Sequence, residues 1–107
     1  MAIEIESEKT DGNILIVVRG EVDLATSPEL RKTILQSIPQ EDGVLGVHLG
    51  AVSYMDSSGV ATMVEGLKMA MDKKARFTLV APSNSVMKVL QLARLDAVFD
   101  IRDSLET

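Results

Sequence analysis

Residues 44–80 read VLGVHLGAVSYMDSSGVATMVEGLKMAMDKKARFTLV, and the periodicity changes twice within them. Val44-Leu45-Gly46-Val47-His48-Leu49 is an apolar run of strand length, and Arg76-Phe77-Thr78-Leu79-Val80 is another. Between them, steps of about 100° per residue put Val60, Met63, Val64, Leu67 and Met71 on one stripe that Glu65, Lys68 and Asp72 avoid. A strand, a helix and a strand in that order imply a right-handed crossover between parallel neighbours.

Upstream, Ile3-Glu4-Ile5-Glu6 alternates with period two, as a half-wet strand does. Asp11-Gly12-Asn13 marks a turn, and Ile14-Leu15-Ile16-Val17-Val18 then reads as a strand buried on both faces and ended by Gly20. Ser27-Pro28 opens a helix with either Ser27 or a Thr26/Glu29 capping box at its start. Leu30, Ile34 and Ile38 lie on its inner face, Pro39 stops it, and Asp42-Gly43 leads into the strand from Val44. Downstream, Pro82-Ser83-Asn84-Ser85 caps a third helix with Val86, Val89, Leu90 and Ala93 inward, and a short last strand is expected around residues 97–101. The expected fold is a single α/β domain over residues 1–107, a mixed, mainly parallel sheet of about five strands with helices packed against it.

Composition agrees with a globular domain: 107 residues, 46% hydrophobic, 25% charged, with no repeat or low-complexity linker. Eleven basic against sixteen acidic residues, −5 with His neutral, leave no basic patch for nucleic acid. The absence of cysteine removes disulfides, thiolate metal sites and cysteine nucleophiles together. The start MAIEIESEKTDG shows no signal-peptide pattern, and the longest apolar run, Ile14 to Val18, is far short of the roughly 20 residues of a membrane helix. A cytoplasmic protein without membrane insertion is expected.

Chemistry concentrates in Tyr54-Met55-Asp56-Ser57-Ser58-Gly59, at the carboxyl end of a parallel strand, where ligands and switches gather. Two readings stand on these residues. Ser57 or Ser58 caps the helix, with Gly59 allowing close backbone approach. Alternatively one serine accepts a phosphate that meets free N–H groups at the positive helix end, with Asp56 orienting the hydroxyl. Gly20-Glu21-Val22-Asp23 should open on the same edge. Asp23 and Asp56 lack a third metal ligand, so solvated carboxylates before helix starts are expected rather than a metal site. A nucleophile elbow, a phosphate loop and a dinucleotide fingerprint are all missing from the sequence. A serine hydrolase would need the single histidine, His48, beside Ser57, so no catalysis and no cofactor are expected. Met69 falls opposite the apolar stripe, as a binding surface would place it, and Gly66 in mid-helix implies a closely packed neighbour.

Gly20-Glu21-Val22-Asp23, Met55-Asp56-Ser57-Ser58-Gly59-Val60 and Leu90-Gln91-Leu92-Ala93-Arg94-Leu95-Asp96-Ala97-Val98-Phe99 together resemble the STAS domain of anti-sigma factor antagonists, over nearly the whole chain. The family often closes with a longer C-terminal helix than the residues after Ile101 provide. The resemblance implies a partner switch. The unmodified antagonist binds an anti-sigma factor that is also a serine kinase, which frees the sigma factor; phosphorylation abolishes binding and a serine phosphatase resets it. It implies Ser57 as phosphoacceptor, Asp23, Asp56, Ser58 and Gly59 as its neighbours, and a partner-binding surface including Glu21, Thr26 and Met69. ATP belongs to the kinase. The alternative is a STAS subunit docking on the ATPase of a lipid-transporting ABC system without phosphorylation; such subunits often replace the serine pair. A transporter's STAS tail is not expected without transmembrane sequence.

Overall fold

The computed structural model describes residues 3–105. β1 (Ile3–Thr10) and β2 (Asn13–Val22) form a hairpin around Asp11-Gly12, whose φ angles of 50° and 84° are those a two-residue turn between twisted strands requires. α1 (Ser27–Gln36), β3 (Val44–Met55), α2 (Ser57–Asp72), β4 (Arg76–Val80), α3 (Asn84–Leu92) and β5 (Asp100–Arg102) follow in alternation. The sheet order is β1-β2-β3-β4-β5, antiparallel at the first pair and parallel at the other three. This is the mixed, mainly parallel α/β sheet expected.

The core lies on one face of that sheet. Ile14, Ile16 and Val18 of β2, Leu45, Val47 and Leu49 of β3, and Phe77 and Leu79 of β4 are buried with Leu30 and Ile34 of α1, Met63 of α2, and Val86 and Leu90 of α3. The opposite face carries Leu15, Val17 and His48, all half-buried, and among the described residues no helix covers it. β2 is therefore fully buried on one face only. A continuous β-branched run is compatible with either arrangement, and only the placement of the crossovers decides.

Several boundaries move for physical reasons. Gly20 does not end β2; it takes φ 112° opposite an extra residue, Ser53, in β3, and the strand continues to Val22. β3 continues past Leu49 to Met55. It pairs with β4 only as far as His48↔Val80, but with β2 as far as Val22↔Met55. Residues 49–55 and the end of β2 thus form a two-stranded parallel ribbon running roughly 20 Å beyond β4. α1 ends at Gln36, so Ile38 packs on the core from after the helix. Ala93 is the exposed cap of α3, and the last strand begins at Asp100 rather than near Ala97.

α2 is turned from its expected phase. Its buried residues are Gly59, Val60, Thr62, Met63, Gly66 and Ala70, while Val64 and Leu67 are half-buried and Met71 is 66% exposed. A Cβ on Gly66 would stand 2.7 Å from Phe77 Cε1 and 2.9 Å from Ile34 Cγ2, so the small side lies between α1 and the sheet. The close neighbour expected at mid-helix Gly66 is present, whereas a stripe drawn through the largest apolar residues points elsewhere, because close helix approach selects small residues. The Arg31 guanidinium grips Glu65 with both Nε–Oε distances at 2.9 Å, tying α1 to α2 at the surface.

Candidate functional site

The ribbon of β2 and β3 ends in two tight turns, and each is organised by an aspartate. After Val22, the Asp23 carboxylate accepts the N–H groups of Ala25 (2.9 Å) and Thr26 (3.0 Å) through the same oxygen. Thr26 Oγ1 accepts the Asp23 N–H at 2.9 Å and donates to the Glu21 carbonyl at 2.8 Å. Thr26 is the residue before α1, yet its side chain makes no cap bond, and the expected Thr26/Glu29 box does not form. Its hydroxyl is already engaged by the loop. At 6% exposure Thr26 braces the turn from inside and does not belong to an outward surface.

After Met55, Asp56 takes extended geometry and caps α2 itself. Its Oδ1 accepts the Ser58 N–H at 2.9 Å, the Gly59 N–H at 3.4 Å and the Ser58 hydroxyl at 2.5 Å. The Asp56 N–H donates to the Val22 carbonyl at 3.1 Å. Asp56 therefore holds the end of β2 through its backbone N–H and the start of α2 through its carboxylate. The Ser58 hydroxyl, opposed by partial burial and helped by the Ser58, Gly59 and Leu24 N–H groups, holds the Asp56 carboxyl below the usual carboxylate range. Gly59 is required here by space: a Cβ would come within 2.6 Å of Met55 Cγ and 2.8 Å of Val22 Cγ1.

Asp23 and Asp56 do share one edge, as the sequence placed them, but both carboxylates are spent on backbone donors rather than standing solvated. The capping residue of α2 is Asp56, not either serine, and the N–H groups of Ser58 and Gly59 are not free for a phosphate. The hydroxyl Asp56 orients is that of Ser58. Ser57 is the first residue of α2, exposed, and among the described residues its hydroxyl has no hydrogen-bond partner. His48 lies on the sheet face outside the core, where its Nδ1 accepts the Gly50 N–H at 3.2 Å. The ribbon puts roughly 20 Å of strand between His48 and the turn holding Ser57, which breaks the pairing a hydrolase needs.

Glu21 lies at this edge, half-buried and paired in register with Tyr54, whereas Met69 is half-buried within α2 rather than fully outward. Two large side chains at the same tip are exposed: Leu24, 78%, which the sequence motifs did not single out, and Tyr54, 49%, which they included without a surface role. Both are large apolar groups next to acids, a pattern that marks binding surfaces only once the strands are known to end there.

A model of the STAS domain matches residues 4–107, and the chain belongs to that family. The anti-sigma-B factor antagonist of Listeria monocytogenes is 29% identical over 103 residues, covering 96% of this chain and 90% of the relative. The solved anti-sigma factor antagonist from Mycobacterium paratuberculosis superposes with TM-score 0.83 at 25% identity, over 98% of this chain and 89% of that one. The anti-sigma factor antagonist SpoIIAA in its unphosphorylated form gives 0.78 at 25% identity, over 98% and 90%. These relatives are regulatory binding proteins by name. Among the described residues, no helix is long and apolar enough to cross a membrane.

Proposed function

We propose that this chain is a cytoplasmic anti-sigma factor antagonist, acting as one STAS unit that is switched by phosphorylation of Ser57. The observation that carries this reading is the difference between two adjacent hydroxyls at the tip of the ribbon: Ser57 is exposed and unpaired, while Ser58 is held by Asp56. The partner is an anti-sigma factor with serine kinase activity, and a serine phosphatase restores the binding form. Glu21, Leu24 and Tyr54 lie at the same ribbon tip and are assigned to the contact surface, with Thr26 and Asp23 holding the turn beneath.

In the transfer, Ser57 Oγ forms a bond to the γ-phosphorus of the kinase's ATP. The bond from that phosphorus to its bridging oxygen breaks, ADP leaves, and the hydroxyl proton passes to a base on the kinase or to water. The phosphate adds about −1.5 to −2 charges beside Asp56, which already accepts the Ser58 and Gly59 N–H groups of α2. It therefore points outward, against the partner. A partner carboxylate about 7 Å away is repelled by roughly 2 kcal/mol per charge pair at an effective dielectric near 20, so two charges weaken binding by factors of hundreds.

The test is calorimetric titration of wild type, Ser57→Ala and Ser57→Asp against the kinase, with melting as fold control and peptide mass spectrometry after incubation with ATP. Phosphate on Ser57, tight binding by Ser57→Ala and weakened binding by Ser57→Asp are expected. Equal binding by the two variants, or no phosphate on the wild type, rejects the switch and leaves docking on a transporter ATPase as the reading to test.

A further inference from the structure

Ser57 and Ser58 are the same residue type at adjacent positions, so a kinase that reaches one reaches the neighbourhood of the other. What separates them is Asp56. Its Oδ1 lies 2.5 Å from Ser58 Oγ and also accepts the Ser58 and Gly59 N–H groups, whereas Ser57 is outside this arrangement. We propose that Asp56 is the residue that decides which serine is phosphorylated, by tying the Ser58 hydroxyl to its own carboxylate and repelling phosphoryl oxygens from it. The inference rests on the chain being a kinase substrate at this turn.

Two physical effects act in the same direction. Turning Ser58 Oγ outward breaks a hydrogen bond to an ionised acceptor, a stronger bond than one between neutral groups. Leaving it in place brings the anionic γ-phosphoryl oxygens within about 4 Å of the carboxylate, where like charges repel strongly even at an effective dielectric of 20. A phosphate made there would find the first-turn N–H groups already taken. At Ser57 the attacking oxygen is exposed and carries no such bond.

Asp56→Asn keeps an oxygen that can accept the same N–H bonds and removes the charge, while Asp56→Ala removes both. The full chain in five forms, wild type, Ser57→Ala, Asp56→Asn, Asp56→Ala and Ser57→Ala with Asp56→Asn, is incubated with the kinase and ATP. Site occupancy is read by peptide mass spectrometry and folding by circular dichroism. Label on Ser57 alone is expected for wild type. The share on Ser58 is expected to rise by about tenfold or more on losing the charge, in the order Asp, Asn, Ala. The double variant should take label on Ser58, where Ser57→Ala alone takes none. A purely structural cap would lower total labelling without redirecting it. If Asp56→Ala is unfolded, Asp56→Asn and the double variant decide. Label confined to Ser57 in every Asp56 variant overturns the inference while the switch stands; no label on wild type removes the switch and the inference with it.

Discussion

Replacing Asp56 by alanine removes a carboxylate on which the Ser58 N–H, the Gly59 N–H and the Ser58 hydroxyl converge. The cap on α2 alone is worth about 1 kcal/mol, and about 2 at most. The Ser58 hydroxyl bond goes to an ionised acceptor at a half-buried position and adds about 1 kcal/mol. The sum is a loss of about 2–3 kcal/mol, or about 8–12 °C in melting temperature for a domain near this size. Asp56→Asn keeps the acceptor and should lose under about 1 kcal/mol at neutral pH. The pH dependence separates the two contributions. The folded Asp56 carboxyl lies below its unfolded value near 3.9, so its charge contributes stability in full above that pH and loses it as pH falls through the folded value. The gap in stability between wild type and Asp56→Asn should therefore close on acidification from about pH 5 towards pH 2. Glu65, held low by Arg31, titrates in both proteins and cancels from that difference. Thermal and denaturant melts across this range, with amide exchange at Ser58 and Gly59, are the assay. An alanine variant within half a kcal/mol of wild type, or a gap to Asp56→Asn that is constant with pH, refutes the account of Asp56 as the clamp.

Two further outcomes concern the packing of α2. Met63→Ala, at a fully buried position, should lose about 2–5 kcal/mol, and Met71→Ala, 66% exposed, about half a kcal/mol or less; denaturant melts giving equal losses would place the helix in the wrong phase. Gly66→Ala gains about 1 kcal/mol of helix propensity, but its Cβ meets Phe77 and Ile34 below 3.0 Å, so a net loss of about 1–3 kcal/mol is expected. A stabilised Gly66→Ala protein would show that α2 stands further from the sheet.

The order of elements was legible because each carries its own short-range signal. Apolar runs of strand length, a 3.6-residue stripe, and the Asp11-Gly12 and Ser27-Pro28 punctuation report backbone preference within a few residues of themselves. The serine pair, the two acids and the close approach at Gly59 were legible for the same reason: they are contiguous residue types at the end of a strand. The rest depended on partners distant in the chain. Gly20, Glu21, Gly50 and Ser53 carry weak strand preference, and they are strand only because β2 and β3 pair with each other beyond the sheet's core. The inner side of α2 is chosen by Ile34 and Phe77, which lie outside it in sequence, and they admit Gly66 where apolar weight pointed to Met71. The tertiary structure also decided what each acid does. Residue type allowed Asp23 and Asp56 to be solvated, metal-bound or capping, and the turns at the ribbon tip aim backbone N–H groups at both. The sequence by itself determined the alternation of strands and helices and the chemistry available at one edge, because those are local properties of the chain. Which serine is bound and which is free was decided only by the tertiary structure, since a hydrogen bond depends on direction and distance between atoms rather than on the identity of neighbours.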